Sequence, residues 1–357
     1  MSSGTSTKSA SFNIYGLGVH LQSTSTTAFD GLISDFSYFR VVAEPRNFRK
    51  VELVQTFPPY DSVPSATATV YTPRNVSFRC GDHTYIDYSG RGLAIFDHTK
   101  GNVRIYSTDS ELLYEAAYLF LLSQVSEFLD ARRMHRVHAL AVSLDGRAVL
   151  VLLPMGGGKS TLGAELLKYP EMKFLSDDSP FVDRRGRIHC FPLRLGLLPD
   201  DQSMVPADQI RRINRMEFGP KLLVNYAHFA ERICPSSEPG VVFLGRRSMA
   251  RKCEILPASW TDAVRAMVAN CVVGMGLFQG MEFVFHESMI ELAGKAGIAY
   301  SRFRNSLALL RRSRRYQLIL GRDHQENGRA VIEFLRAVNR SDPLSDPTTT
   351  PKLRTPL

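Results

Sequence analysis

The chain has 357 residues, 44% of them hydrophobic and 22% charged, with a formal net charge of +9, the balance of an ordinary globular protein of one large or two smaller domains. Its longest apolar run, Ala116 to Leu122, is far too short to cross a bilayer, and the first residues lack the apolar core of a secretory signal. Cys80, Cys190, Cys234, Cys253 and Cys271 are scattered with no C-x-x-C pair, which points to reduced core thiols in a cytoplasmic protein.

Residues 1 to about 10 are polar and small and read as disordered. Phe12 to Leu21 alternates like a strand, and Ala28 to Arg40 has the pattern of a short helix. From Val51 to Tyr106 short β-like runs recur: Val51–Val54, Ala68–Tyr71, Val76–Arg79, Thr84–Tyr88, Leu93–Phe96 and Val103–Tyr106, separated by Gly, Pro, Asn and Asp. They predict a small antiparallel, β-rich N-terminal domain over 11–107. Thr108 to Arg133 predicts a long helix, with Thr108 and Glu111 as a capping box, connecting this domain to a second one over 134–338.

The second domain starts with two predicted strands, His138–Leu144 and Ala148–Leu153, joined at Asp145-Gly146, a strong hairpin signal. Leu162–Leu167 predicts a helix, Met172–Ser176 a strand ending in Asp177-Asp178, and Pro180–Phe191 a short hairpin. Residues 200–240 look polar and irregular around a predicted helix at Ala207–Ile213. Strands come next at Gly240–Gly245 and Cys253–Pro257, helices at Trp260–Met275 and Glu287–Ala296, then a strand at Tyr316–Gly321 and a helix at Gln325–Val338. The tail from about Asn339 is rich in Pro, Thr, Ser and Asp and reads as disordered. Arg302, Arg304, Arg311, Arg312, Arg314 and Arg315 crowd a stretch without acids, either a patch for nucleic acid or an acidic protein, or a solvated helix face. No aromatic-interleaved RNA-binding motif accompanies it.

The most informative stretch is the apolar strand ending at Leu153, followed by Pro154-Met155-Gly156-Gly157-Gly158-Lys159-Ser160-Thr161 and a helix. Glycines let successive N–H groups converge on an anion, and the helix N-terminus adds partial positive charge. In such a phosphate cradle over Gly156–Thr161, Lys159 reaches the β- and γ-phosphates and the Ser160 hydroxyl meets Mg²⁺. The full pattern G-x-x-x-x-G-K-[ST] asks for glycine where this chain has Leu153, so only its core matches. The plain alternative is a glycine-rich turn with a chance lysine. A cradle of this kind needs acids from a neighbouring strand end, and Asp177-Asp178 supplies two: one for the metal and one to take a proton from an attacking hydroxyl. An Asx turn is the structural alternative there. His138, placed opposite Leu153 by the hairpin, falls at the mouth of the loop.

His138-Ala139, the hairpin, the Gly-Gly-Gly-Lys-Ser-Thr loop and Leu175-Ser176-Asp177-Asp178 resemble the C-terminal kinase domain of HPr kinase/phosphorylase, and more closely the looser group of HPr-kinase-like proteins that includes kinases of peptide precursors. The good match covers about residues 136 to 200. The resemblance implies a mixed-sheet α/β fold related to phosphoenolpyruvate carboxykinase, a P-loop kinase core using ATP and Mg²⁺, and possible homo-oligomers. It puts the active site on His138, Lys159, Ser160, Asp177 and Asp178, with Asp177 as base and Ser160 and Asp178 on the metal. It also implies a loop-borne cation for the transferred phosphoryl group, for which Arg194, Lys221, Arg246 and Arg247 are the candidates. Where the bifunctional enzymes carry Glu-Ile-Arg-Gly-Leu-Gly, this chain has Pro192-Leu-Arg-Leu-Gly-Leu, without the glutamate. The expected function is γ-phosphoryl transfer from ATP to a hydroxyl, of Ser or Thr in a protein or peptide. A small-molecule hydroxyl kinase and a non-catalytic nucleotide-binding regulator are the alternatives.

Overall fold

Glycine and β-branched punctuation in the first hundred residues is converted into a single nine-stranded sheet in the computed structural model, which describes residues 7–42, 48–197, 205–215, 219–272 and 289–340. The molecule is of the mixed α/β class, with open sheets of mixed strand direction. It divides into two units: one holds the chain up to Arg132 together with Asp208–Tyr226, the other the chain from Arg133 to Ala207 and most of the chain after Ala227.

In the first unit, β1 (Lys8–Ile14) and β2 (Leu17–Ser23) form a hairpin through Tyr15 and Gly16, both at positive φ. Such a pair of left-handed residues twists a two-residue turn in the sense the strands need. The stretch expected to be one strand is therefore two, and β1 begins at Lys8, inside the segment expected to be disordered. Helix α1 (Thr26–Asp35) ends in a 3-10 turn, and β3 (Arg40–Val41) follows. Then come β4 (Phe48–Val54), β5 (Ala68–Tyr71), β6 (Val76–Cys80), β7 (His83–Asp87), β8 (Gly92–Asp97) and β9 (Asn102–Ser107), close to their predicted positions. The sheet runs β3-β1-β2-β4-β9-β8-β7-β6-β5. It is mixed rather than antiparallel as expected, because β4 lies parallel to both β2 and β9.

Helix α2 (Ser110–Ala131) belongs to this first unit rather than serving as a connector. Its apolar residues, among them Leu113, Ala117 and Phe120, are buried, and Phe120 meets Phe96 of β8 edge to face at 5.3 Å. Its cap is Asp109, not the predicted Thr108: the Asp109 carboxylate accepts from Glu111 N at 2.9 Å and Leu112 N at 3.3 Å. The predicted helix at Ala207–Ile213 is only a 3-10 turn, Ala207–Gln209, before a hairpin of two strands numbered below. Arg211 of that hairpin bonds Asp35 at 2.7 Å and the Tyr114 hydroxyl at 3.1 Å, and Tyr114 itself donates to Asp35.

The second unit carries β10 (His135–Arg136), β11 (Leu140–Leu144), β12 (Arg147–Leu152), α3 (Lys159–Leu166), β13 (Met172–Ser176), β14 (Phe181–Val182), β15 (Ile188–His189) and β16 (Leu195–Leu197). After β17 (Ile210–Arg215) and β18 (Gly219–Val224), the hairpin of the first unit, it continues with β19 (Ser236–Arg247), β20 (Glu254–Pro257), α4 (Trp260–Met267), α5 (Met289–Arg311), β21 (Arg314–Leu320) and α6 (His324–Arg340). The central strands run β13-β11-β12-β19-β21-β20. β12, β19 and β21 are mutually parallel, while β11, β13 and β20 are antiparallel to their neighbours. Val149, Val151, Phe243, Leu318, Leu162, Val331 and Leu335 close one core between this sheet and helices α3 and α6. Helix α4 stops at Met267 and passes into a π turn, Val268–Val272; the rest of its predicted length, to Met275, lies outside the described residues, as does the tail from 341. α5 runs well beyond the predicted Ala296.

The arginine-rich stretch is largely spent on the fold. Arg302 and Arg315 donate to carbonyls that end neighbouring turns, Arg312 bonds Arg185 O and the Glu238 carboxylate, and Arg315 also covers the Trp260 ring at 5.1 Å. Among the described residues no helix is long and apolar enough to cross a membrane.

Candidate phosphate-binding site

The strand directions bring the predicted residues to one edge of the second unit's sheet. β12 is antiparallel to β11, and β11 to β13, so the chain leaving β12, the chain entering β11 and the chain leaving β13 meet at the same end. Those three points carry the glycine loop, His138 and Asp177-Asp178. β19 and β21 run parallel to β12, so their C-terminal ends arrive there too, bringing Arg247 and the start of α6. Ligands of open α/β sheets characteristically bind at this edge. The Asp145-Gly146 turn, with φ values of 51° and 76°, fixes the register that makes the edges coincide.

The loop itself folds tightly. Gly157 N donates to Pro154 O at 3.0 Å, and Gly158, at φ +94°, is the left-handed residue from which α3 departs. A side chain at Gly157 would drive its Cβ to 2.9 Å from Pro154 O, so glycine is required there by space alone. The first-turn N–H groups of α3 have no carbonyl of their own helix to reach and face outward at the loop. Leu153, where the motif expects glycine, has no left-handed backbone. Its side chain is 1% exposed in the core and lies over Gly245 of β19. The absence of a side chain at Gly245 leaves the room that Leu153 fills.

Lys159 is buried, with 7% of its side chain exposed. Its amine donates to Leu153 O at 2.7 Å and to Pro154 O at 3.3 Å, and lies 2.9 Å from His138 Nε2. An ammonium can only donate, so a charged Lys159 is the donor of this contact and His138 Nε2 its acceptor. Nδ1 lies 3.0 Å from Asp178 Oδ1, off the hydrogen-bond direction, which makes it a close polar contact rather than a hydrogen bond. Asp178 Oδ1 is also 3.8 Å from the Lys159 amine. Burial pushes the lysine below its ordinary pKa, against the opposing pull of Asp178 and then Asp177.

The two aspartates differ sharply. Asp177 is buried; its Oδ2 accepts from the Ser160 hydroxyl at 2.7 Å and from Gly196 N at 3.1 Å. Asp178 leaves half of its side chain, 51%, exposed. Ser160 thus bonds Asp177, the residue to which the resemblance gives the part of base, while Asp178, which the resemblance places on the metal with Ser160, stands beside His138 and Lys159. Among the described residues no cluster of three or more His, Cys, Asp or Glu gathers to hold a metal alone. A hydroxyl and one carboxylate fit a cation that completes its shell with phosphate oxygens and water, which is the habit of Mg²⁺.

On another side of the α3 N-terminus lies a shallow surface depression with room for little more than a water molecule, bordered by Gly157, Gly158, Thr161, Arg247, His324 and Asn327. Of the four candidate cations, Arg247 is the one that borders the loop there: its Nη1 is 3.7 Å from where a Gly158 Cβ would stand. Arg246 is exposed at the end of β19, and Lys221 lies on β18 of the first unit. His324 and the Gly196 amide were not anticipated. The first is a lone histidine in a helix start, and the second is a backbone donor that no side-chain motif encodes. No protein-family model matches this sequence, and no curated protein matches it.

Proposed function

We propose that this chain is a phosphotransferase with a P-loop kinase core, moving the γ-phosphoryl group of ATP to a hydroxyl, with serine or threonine of a protein or peptide as the acceptor class. The observation that carries the reading is the convergence of Lys159, Ser160 and two carboxylates on the first turn of the helix that follows a left-handed glycine. Amides of the loop over Gly156–Thr161 would hold the β- and γ-phosphates, and the Lys159 amine would join them by exchanging its bonds to Leu153 O and Pro154 O for phosphate oxygens. Ser160 and Asp177 would hold Mg²⁺, which supplies charge neutralisation on the phosphates when bound.

Asp178 then takes the acceptor's proton. It is the carboxylate that an incoming hydroxyl can reach, and His138 and Lys159 position it. The acceptor oxygen bonds to the γ-phosphorus as the bond from phosphorus to the β–γ bridging oxygen breaks. The proton goes to Asp178 and the electron pair leaves with ADP. This order puts the metal on the first aspartate and the proton on the second, the reverse of what the resemblance implied, because Asp177 Oδ2 is already engaged by Ser160 and Gly196.

Labelled ATP with fractionated lysate tests the reading. Wild type should label macromolecules. Asp178→Asn should keep ATP binding while transfer slows by about 10²–10⁴-fold, the usual weight of a general base. Label confined to small molecules would make the acceptor a metabolite. ATP binding with no Asp178-dependent transfer to either fraction would refute the assignment.

A further inference from the structure

Beyond the residues used for chemistry, five cations gather at the sheet edge that carries the glycine loop. Arg246 and Arg247 end β19, Arg251 and Lys252 lie between β19 and β20, and Arg322 lies between β21 and α6. All five are exposed, and Arg251 leaves 81% of its side chain open. The side chains of Arg246, Arg247, Lys252 and Arg322 have no ion-pair partner among the described residues. Three acids, Glu254, Asp323 and Glu326, lie on the adjoining segments. Asp323 stands 3.6 Å from Arg251 and Glu326 is bound by Arg329, so the surface stays positive. Like charges held together repel, and an anionic partner relieves that repulsion.

The backbone holds these cations as a platform. Ser248 N donates to Leu320 O at 2.8 Å and Arg322 N to Ala250 O at 2.8 Å, and a Cβ on Gly321 would collide with the Arg251 carbonyl. The stretch after β19 is thus laced to the turn before α6, and a partner meets the cations without first ordering the chain. Met249, between them, is 83% exposed. Nucleic-acid surfaces intersperse cations with aromatic rings that stack on bases, and the stretch from Arg246 to Lys252 contains none. Arginine and methionine are enriched where proteins meet proteins.

We infer that this platform docks an acidic segment of the acceptor peptide while the peptide's hydroxyl reaches Asp178. The inference rests on the phosphotransferase reading and narrows its acceptor class. Asp178 follows β13, and the order β13-β11-β12-β19-β21 puts the platform three to four strands away along the same edge. At about 4.8 Å per strand the span is about 14–19 Å, which an extended peptide covers in about four to six residues. The acids of the acceptor therefore belong about five positions from its serine or threonine, not beside it. Arg247 borders the glycine loop as well, so docking is tested on Lys252 and Arg322.

The test is fluorescence anisotropy of labelled probes with the full chain at physiological salt. One peptide carries three aspartates centred about five residues to each side of a serine, a second carries asparagines in their place, and a single-stranded RNA of equal charge is the third probe. The acidic peptide should bind about tenfold more tightly than the asparagine peptide, the summed weight of a few exposed ion pairs, and the gap should close in about 1 M salt. Lys252→Glu with Arg322→Glu should erase the preference, while ATP affinity and the unfolding midpoint stay at wild-type values. Equal binding of the two peptides, a preference that survives the double substitution, or RNA bound more tightly than the acidic peptide would each overturn the inference. Transfer from labelled ATP separates it from the reading beneath: KM should be about tenfold lower for the acidic peptide at equal kcat. A binding preference with no transfer to the peptides or to lysate would refute the phosphotransferase reading, and with it the claim that the docked segment is an acceptor.

Discussion

Leu153 and Gly245 form a pair whose energetics can be worked from the structure. A Cβ at Gly245 would come within 2.4 Å of Leu153 Cγ and 2.5 Å of its Cδ2, and 3.0 Å from Leu152 O. Gly245 has no left-handed φ, so Gly245→Ala brings no backbone strain and even stiffens the unfolded chain by about 0.4–1 kcal/mol. The clash acts the other way. Overpacking of this kind costs about 1–3 kcal/mol, for a net loss of roughly 1–2 kcal/mol. Leu153→Ala alone leaves a hole in the core and should cost about 3 kcal/mol. Made together, the new methyl occupies part of that hole, and the double variant should be more stable than the sum of the two losses by about 1–2 kcal/mol. Urea unfolding followed by the fluorescence of Trp260, the single tryptophan, measures this in the second unit, where Trp260 lies. Additivity to within about 0.5 kcal/mol would show that the two sites do not share space, and the account of the missing motif glycine would be wrong.

Three further outcomes are expected. Burial lowers the Lys159 pKa in the folded state, so the folded chain binds that proton less firmly than the unfolded chain. Wild-type stability relative to Lys159→Met should therefore rise as pH climbs toward the ordinary lysine value of 10.5; urea midpoints of both proteins at several alkaline pH values check this, and a flat or falling difference contradicts it. Asp109→Ala should destabilise the first unit by about 1 kcal/mol through loss of the α2 cap, while Thr108→Ala should leave the unfolding midpoint unchanged. Arg211→Ala removes the cation from Asp35, which is 2% exposed, and should cost about 3 kcal/mol by chemical denaturation. A midpoint equal to wild type would mean that Tyr114 alone satisfies the carboxylate.

Local rules read the strands well where neighbours in the chain are also neighbours in the sheet. From β5 to β9 each strand pairs with the next, turn residues sit between them, and alternation is enough. The rules fail where partners are distant. That β4 lies parallel between β2 and β9 depends on which edges are left open after the hairpins form, which no window of ten residues contains. Ala207–Ile213 reads as helical, with Ala207, Ile210 and Ile213 at a spacing of three, yet its second half belongs to β17. β17 is held by β18 and by the Arg211 bonds to Asp35 and Tyr114. Tertiary partners overrode a weak helical period there.

The site was legible for a different reason. The Asp145-Gly146 turn at the far edge sends β12 back alongside β11, and the chain breaks after Leu153 and after Ser176 both fall at the near edge, so His138, Lys159 and Asp177-Asp178 are brought together by counting. What counting could not reach was the different surroundings of the adjacent aspartates. Successive residues leaving a strand point in different directions. The Gly196 amide, from a strand 19 residues on, holds Asp177 beside Ser160, while Asp178 stands beside His138 and half exposed. The same holds for Leu153. A motif written as a string of residue types records the space its usual members need, and a glycine at Gly245 meets that need from a strand that is distant in sequence and adjacent in the sheet.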